Sequence, residues 1–220
     1  MRAMAHPLWP LFDLAIRSRR LELRLPTDDE LIELAAVARA GIHPRDEMPF
    51  AVAWSNLPSP RFEQNFVRYH WAMRAEWSPE HWTLNLGTFL GGRLIGSQGF
   101  TAHRFAVYRT IATGSWLGLP FQGQGYGTEM RAAVLAFAFD HLGALRAESD
   151  AFLTNPRSAA VSRSLGYVEN GVAQAAPEDR PATTQRFLLT ADAWRSRPRD
   201  PIEVTGFEAC RDLFGSADSG

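Results

Sequence analysis

The sequence predicts an α/β protein with a mixed central β-sheet flanked by helices. Residues 21–25 and a hairpin around Gly91-Gly92 show the two-residue alternation of half-buried strands. Residues 27–41 and 128–142 show apolar side chains at helical spacing. The middle of the chain reads strand–loop–helix–strand with hairpins on both sides. Hairpins require antiparallel pairing and a helical crossover requires parallel pairing, so the sheet is mixed. A chain of 220 residues fits one domain with a sizeable core. Residues 17–195 are assigned to it, with extensions at 1–16 and 196–220.

The elements follow in order. Residues 21–25, Leu-Glu-Leu-Arg-Leu, form the first strand. Thr27 then caps a helix, Glu30 completes a capping box, and Asp28 and Asp29 suit the positive helix end. Leu31, Leu34, Ala35 and Ala38 give that helix its apolar stripe, to about Gly41. Residues 42–82 are rich in Pro and Trp, with one helical stretch at 61–74. The hairpin strands are 83–90 and 93–101, and a further strand covers 111–119. Met130, Val134, Phe137, Ala138 and Leu142 mark the buried face of the helix at 128–142. Residues 145–152 form the next strand. Asn155-Pro156 opens another helix, with Asn as N-cap and Pro in the first turn, and Gly166 stops it. Strands at 167–173 and 184–189 flank a polar loop at 177–181. The last few residues are expected to fray.

The segment Gln122-Gly123-Gln124-Gly125-Tyr126-Gly127 joins a strand to a helix. Its glycines permit a tight turn and close approach of a ligand, and the helix end behind it suits phosphate. Three loop types compete. A Walker loop needs Lys, and Tyr126-Gly127-Thr128-Glu129 supplies none. A dinucleotide fingerprint counted from Gly123 needs Gly where Thr128 stands. The pattern Gln/Arg-x-x-Gly-x-Gly/Ala is filled by Gln122, Gly125 and Gly127. That pattern is the acyl-CoA pyrophosphate loop of GCN5-related N-acetyltransferases.

The surrounding sequence resembles the ribosomal-protein acetyltransferase branch of this superfamily. The match lies in "GSWLGLPFQGQGYGTEMRAAVLAFAF", in "TNPRSAAVSRSLGYVENG" and in the opening "RRLELRLPTDDELIEL", in the family's order and spacing over roughly residues 17–190. It extends to a mycobacterial succinyltransferase of the family in "MPF", in the "GSWLGL" strand and in the C-terminal "GF…CR.LFG". The resemblance implies that strands 111–119 and 145–152 are parallel but splay apart to hold the pantetheine arm of acyl-CoA. It implies a CoA-binding set of Trp116, Leu117, Gly118, Gln122, Gly123, Gln124, Gly125, Tyr126, Gly127 and Thr128, with Asn155 and Ser158. Ser158, three residues after Asn155, would sit near the CoA sulfur and return a proton to it. Asn155 would contact the ligand or serve as an N-cap.

Acyl transfer to an amine also requires a polarised carbonyl and a neutral nucleophile. A backbone N–H on the strand 116–119 would serve the carbonyl, with Gly118 admitting the ligand. The base is open among Glu148, Asp150, Glu178, Asp179, His103 and His141. An α-amine, with a pKa of roughly 7.7–8.0, needs less help than a lysine at ~10.4. Phe50, Trp54, Trp71, Trp77 and Trp82 could line an acceptor cleft, with core packing the favoured reading for at least half of them. A succinyl carboxylate would need an arginine, from Arg45, Arg61, Arg68, Arg74, Arg104 or Arg109.

Composition narrows the classes. A net charge of −1 offers no field for nucleic acid or an anionic membrane. No apolar run approaches the ~20 residues of a membrane span. Arg2, His6, Pro7 and Pro10 interrupt any signal-peptide pattern, and the single Cys210 cannot form an intrachain disulfide. All 23 basic residues are Arg, so catalysis through a lysine Schiff base is excluded. The expectation is a cytoplasmic enzyme without metal, with acetyl-CoA or succinyl-CoA as co-substrate. Its acceptor would be a protein N-terminus, a lysine or a small amine. A homo-oligomer, formed through the C-terminal extension, is a further expectation. The rival class is a non-catalytic acyl-CoA sensor, which would bind through 122–128 without turnover. A nucleotide hydrolase is disfavoured by the missing Walker lysine.

Overall fold

A computed structural model describes residues 6–215. Residues 1–5 and 216–220, where the N-terminal extension begins and the fraying end is expected, lie outside the described residues.

Nine strands form one sheet: β1 (Ala15–Arg17), β2 (Leu21–Arg24), β3 (His81–Leu90), β4 (Arg93–His103), β5 (Thr110–Leu117), β6 (Arg146–Phe152), β7 (Val168–Ala175), β8 (Ala182–Thr190) and β9 (Glu203–Thr205). Their spatial order is β7-β8-β6-β5-β4-β3-β2-β1-β9. Every neighbouring pair is antiparallel except β5–β6. The helices are α1 (Asp28–Ala40), α2 (Arg61–Ala75), α3 (Phe105–Tyr108), α4 (Tyr126–Ala136), α5 (Pro156–Ser164) and α6 (Ala191–Arg195).

The β5–β6 pair positions the site. It runs in register only from Thr110–Arg146 to Thr113–Ser149. Beyond that point β5 stays on β4 as far as Leu117, and β6 stays on β8 as far as Phe152. The sheet therefore forks, with its crotch at Thr113 and Ser149 and its wide end at the Gly loop. At about 3.3 Å per residue, the β5 wall of the fork is roughly 13 Å long.

Two helix layers cover the sheet. On one side Leu31, Leu34 and Ala38 of α1 and Phe62 and Phe66 of α2 bury Phe89 and Leu94. On the other, α4 is buried around much of its surface, through Met130, Arg131, Ala133, Val134 and Leu135. The helix expected over 128–142 leaves α-geometry at Phe137 and finishes as a π-turn, Phe137–His141. Arg109, in a left-handed conformation, donates from Nε to the Gly143 carbonyl at 2.9 Å behind this turn.

The strand expected over 111–119 stops at Leu117, where the chain turns into a short 3-10 helix, Leu119–Phe121. The C-terminal segment adds β9 beside β1 and buries Phe207, Cys210 and Phe214 in the main core. Trp77 and Trp82 pack there against Phe214, and Trp82 Nε1 donates to the Phe214 carbonyl at 3.1 Å.

Candidate active site

The Gly loop is held from three sides. The Gln122 Nε2 amide donates to the carbonyls of Ile42 and Leu117, both at 2.8 Å, tying the loop to β5 and to the end of α1. Gln124 Nε2 donates to the Pro120 carbonyl at 2.7 Å. Ser18 and Arg20, in the β1–β2 turn, clamp Glu129 in the first turn of α4: Ser18 Oγ donates at 2.8 Å and the Arg20 backbone N–H at 2.9 Å. Burial works to raise the Glu129 pKa, but these donors win and hold it below the usual carboxylate range. The Arg20 guanidinium also lies over the Tyr126 ring, 4.4 Å from its centroid.

Gly123 (φ 74°) and Gly125 (φ 82°) adopt the left-handed conformation that glycine tolerates best. Among the described residues no side chain caps α4, whose first intrahelical bond runs from Glu129 N–H to the Gly125 carbonyl. The N–H groups of Tyr126, Gly127 and Thr128 precede that bond and point out of the helix end. Gly127 is different from its neighbours. It has ordinary helical geometry, and a Cβ there would meet only Leu117 and Val161, at 3.8 and 3.9 Å. Among the described residues nothing excludes a methyl at this position. Its bare face looks toward β5 and α5, the walls of the fork.

Ladder parity decides which N–H groups of β5 face the fork. Gly118 N–H donates to the Ile95 carbonyl at 2.9 Å, so alternate residues back along β5, Trp116 and Gly114, also face β4. The intervening residues, Ser115 and Leu117, direct their N–H groups toward the gap. Leu119 N–H is taken by the Gly41 carbonyl at 2.9 Å. Within residues 116–119, expected to supply the carbonyl-polarising donor, Leu117 alone points into the fork, and Ser115 joins it. Gly118 is buried, and a Cβ there would meet Val37 and Phe121, so the close approach it permits is between protein elements. The Trp116 side chain lies on the α2 face, with ring centroids 5.8 Å from Trp54 and 6.4 Å from Phe66.

On the opposite wall Asn155 caps α5, its Oδ1 accepting from Ser158 N–H at 3.1 Å. Ser158 is half-buried, and among the described residues its Oγ has no hydrogen-bond partner.

The fork also contains a group that sequence reasoning missed. Arg131 of α4 is 4% exposed. Its NH1 donates to Ser162 Oγ at 2.9 Å and Ser149 Oγ at 3.3 Å, and its NH2 to Ser115 Oγ at 3.2 Å. Burial pushes its pKa down, and the nearby Tyr167 hydroxyl acts the other way.

The sheet face on the α2 side carries a trough beside the same crotch. Gly99 pairs with Gly114; among the described residues a Cβ at Gly114 would meet nothing within 4 Å, whereas the Asn85 side-chain oxygen occupies the space over Gly99. Ala112 is exposed and pairs with Glu148. A cavity of about 400 Å³ lies further along the paired part of β5 and β6, lined by His103, Tyr108, Ala112 and Glu148 among others. Asn56 Nδ2 reaches Glu178 in the late loop at 3.3 Å, and Tyr69 of α2 accepts from Asn85 at 3.2 Å.

The remaining candidates separate. His103 sits beside His81, with rings 5.7 Å apart, near Glu148. His141 stacks on Phe137 in the C-terminal aromatic cluster. Asp150 lies 3.9 Å from Arg186. Phe50 and Trp54 lie together near Trp116, whereas Trp71 is exposed and donates to Asp28 at 3.2 Å. Of the arginines, Arg74 is tied to Asp28 at 2.7 Å and Arg109 to the turn after α4, while Arg104 lies over Tyr108. Arg45, Arg61 and Arg68 stand on the segments before and within α2. His70, which sequence reasoning also missed, is buried against Phe66 with ring centroids 4.8 Å apart. Burial first, and Arg74 second, lower its pKa to about 4, so it is neutral at pH 7.

The chain can now be set against known proteins. Solved structures share this fold. They include Mycobacterium smegmatis RimJ in complex with CoA-disulfide, at 16% identity, TM-score 0.67, covering 92% of this chain and 95% of that one. RimL, a ribosomal L7/L12 alpha-N-protein acetyltransferase solved with coenzyme A, matches at 17% identity and TM-score 0.63, over 80% and 97%. A GCN5-related N-acetyltransferase from Brucella melitensis matches at 18% identity and TM-score 0.63, over 82% and 80%. The sequence profile of the acetyltransferase (GNAT) domain matches residues 20–168, more than half of the chain, and with the forked sheet and the Gly loop at its open end the chain belongs to the GNAT acetyltransferase family.

Proposed function

We propose that the protein is an acyl-CoA-dependent N-acyltransferase that moves an acetyl or succinyl group directly to a primary amine. The observation that carries this reading is the fork itself. Its wide end meets the N–H groups of α4, and its crotch meets the Gly99–Gly114 trough. The pyrophosphate of CoA fits the α4 end and the pantetheine arm fits the gap. The RimJ and RimL structures, both determined with CoA, support the ligand class.

The amine approaches over Gly114, and its nitrogen attacks the thioester carbonyl carbon. One of the N–H groups of Ser115 and Leu117, which stand about 6.6 Å apart on β5, would receive the developing oxyanion. The attacking nitrogen, cationic in the tetrahedral intermediate, loses a proton to Glu148 directly or through water. The C–S bond breaks, and the departing sulfur takes a proton from Ser158, which recovers one from solvent. Cys210 offers no covalent route, because burial first, and Asp13 next, push its thiol up to about 12. The acceptor is a protein N-terminus, a lysine or a small amine. RimL is a ribosomal L7/L12 alpha-N-protein acetyltransferase, which favours the first.

Parallel calorimetric titrations with CoA, acetyl-CoA, succinyl-CoA and ATP test this. Binding of the CoA species without ATP, followed by thiol release with a peptide amine, is the expected result. Binding without turnover of any amine makes the protein a sensor. No CoA binding overturns the reading.

A further inference from the structure

A buried arginine without a carboxylate is costly, because the guanidinium has left water for partners that carry no charge. Arg131 is in this state. Among the described residues no Asp or Glu pairs with it, and its Nε is buried without a hydrogen-bond partner. The groups facing it are Ser115 of β5, Ser149 of β6, Ser162 of α5 and the hydroxyl of Tyr167, which lies 3.5 Å from Thr113 Oγ1.

Its position is equally particular. Ser115 and Ser149 stand at or just past the last β5–β6 pair, so the guanidinium bridges the two strands where their backbone ladder ends. Ser162 Oγ lies 3.4 Å from the Ser158 carbonyl, which links the same cluster to the turn carrying Ser158. Ser115 is half-buried, and its backbone N–H points into the gap. Because Arg131 donates to the Ser115 oxygen, the Ser115 O–H proton is free to turn into the gap as well.

We propose that Arg131, acting through Ser115, supplies the counter-charge for an anion held at the crotch of the fork. This rests on the acyl-CoA reading of that fork. Two sources bring such an anion there: the CoA thiolate released by transfer, or the terminal carboxylate of a dicarboxylic acyl group. Arg131 is a positioning residue in either case, since the hydroxyl it polarises meets the ligand.

The experiment compares wild type, Arg131→Met, Arg131→Lys and Ser115→Ala. Each is titrated with CoA, acetyl-CoA and a carboxylate-terminated acyl-CoA, and the thiol of bound CoA is followed against pH by ultraviolet absorbance. With the thiolate as source, bound CoA ionises about one pH unit or more lower in the wild type than in Arg131→Met or Ser115→Ala, and Arg131→Lys restores part of the shift. With the carboxylate as source, Arg131→Met and Ser115→Ala lose about tenfold in affinity for the carboxylate-terminated ligand and keep that for acetyl-CoA. Ser115→Ala leaves Arg131 in place, so it decides the matter if Arg131→Met does not fold. An unshifted thiol together with an unchanged affinity ratio overturns the proposal while the acyl-CoA reading stands. No CoA binding by the wild type removes both.

Discussion

The two helix layers on this sheet are built differently. In the α1–α2 layer the start of α1 is closed off. Thr27 Oγ1 accepts from Glu30 N–H at 3.2 Å, and Glu30 accepts from Thr27 N–H at 2.9 Å. Beneath them Trp54, Phe62 and Phe66 pack ring against ring. In the α4–α5 layer polar groups are left open. Helix α4 starts on a glycine with no side-chain cap, and Arg131 is buried without a charge partner. Helix α2 also starts without a side-chain cap, so what sets the α4–α5 layer apart is an open helix end that faces the fork together with a buried cation that has no carboxylate partner among the described residues. An unpaired buried cation reduces stability. That combination assigns the chemistry to this layer.

The largest effect that sharpens this comparison lies in the closed layer. His70 is held neutral, with its pKa lowered from 6.5 to about 4 by burial. Between those pH values the unfolded chain binds a proton that the folded chain does not. Stability is therefore whole above pH 6.5 and falls as pH drops through about 4, by about 3 kcal/mol in total. Denaturant melts from pH 7 to 4 show the loss, and His70→Phe flattens it. If the acyl-CoA affinity instead followed His70, the two layers would not be separate.

Gly127→Leu acts on the open layer. The new side chain enters the space between Leu117 and Val161, where Gly127 has room to spare. Leucine is the better helix former by about 0.8 kcal/mol, so thermal stability holds or rises. Acyl-CoA affinity falls roughly 100-fold, or ~2.7 kcal/mol. A parallel loss of stability would mean that the space is structural. Ser158→Ala is milder. It lowers kcat about tenfold with KM within about twofold, because a proton returned to sulfur matters only as the bond breaks. A change confined to KM in steady-state assays would make Ser158 a binding group alone.

How much of this was legible depended on whether the signal was local. The Thr27–Glu30 box, the Gly91-Gly92 turn, the Asn155 cap and the Gly loop are carried by neighbouring residues, and the structure has each in place. Strands β1 and β9 have three residues each, too few for alternation to show, and they exist because they pair with each other across the length of the chain. Arg131 reads as a surface residue, because a charge in a helix ordinarily marks the solvent side. The apolar neighbours Met130, Ala133, Val134 and Leu135 show instead that α4 is enclosed. His70 left a usable trace, since Phe62, Phe66 and His70 are spaced four apart and share one face of α2. Strand β5 stops two residues short of the expected 111–119: the apolar run continues through Leu119, while the turn after Gly118 is set by the Leu119 N–H bonding to the Gly41 carbonyl and the Phe121 N–H to the Gly118 carbonyl.

The smallest effect is the control for the comparison. Thr27→Ala opens the N-terminus of α1 and leaves Glu30 N–H without its partner, a cost of about 1 kcal/mol. Glu30 remains paired with Arg24, whose hydrogen bond is the chief cause of its lowered pKa, so the helix end loses one donor contact and keeps its charge. Calorimetry gives a Tm lower by a few degrees. The α1 end now resembles that of α4 in having exposed N–H groups, yet it faces no fork. Acyl-CoA binding measured by titration therefore stays at the wild-type value. If it weakened, the position of the open α4 N–H groups at the fork would not be the feature that distinguishes the two layers, and the link from the capping box through α1 to the Gly41 carbonyl and Leu119 would carry the effect instead.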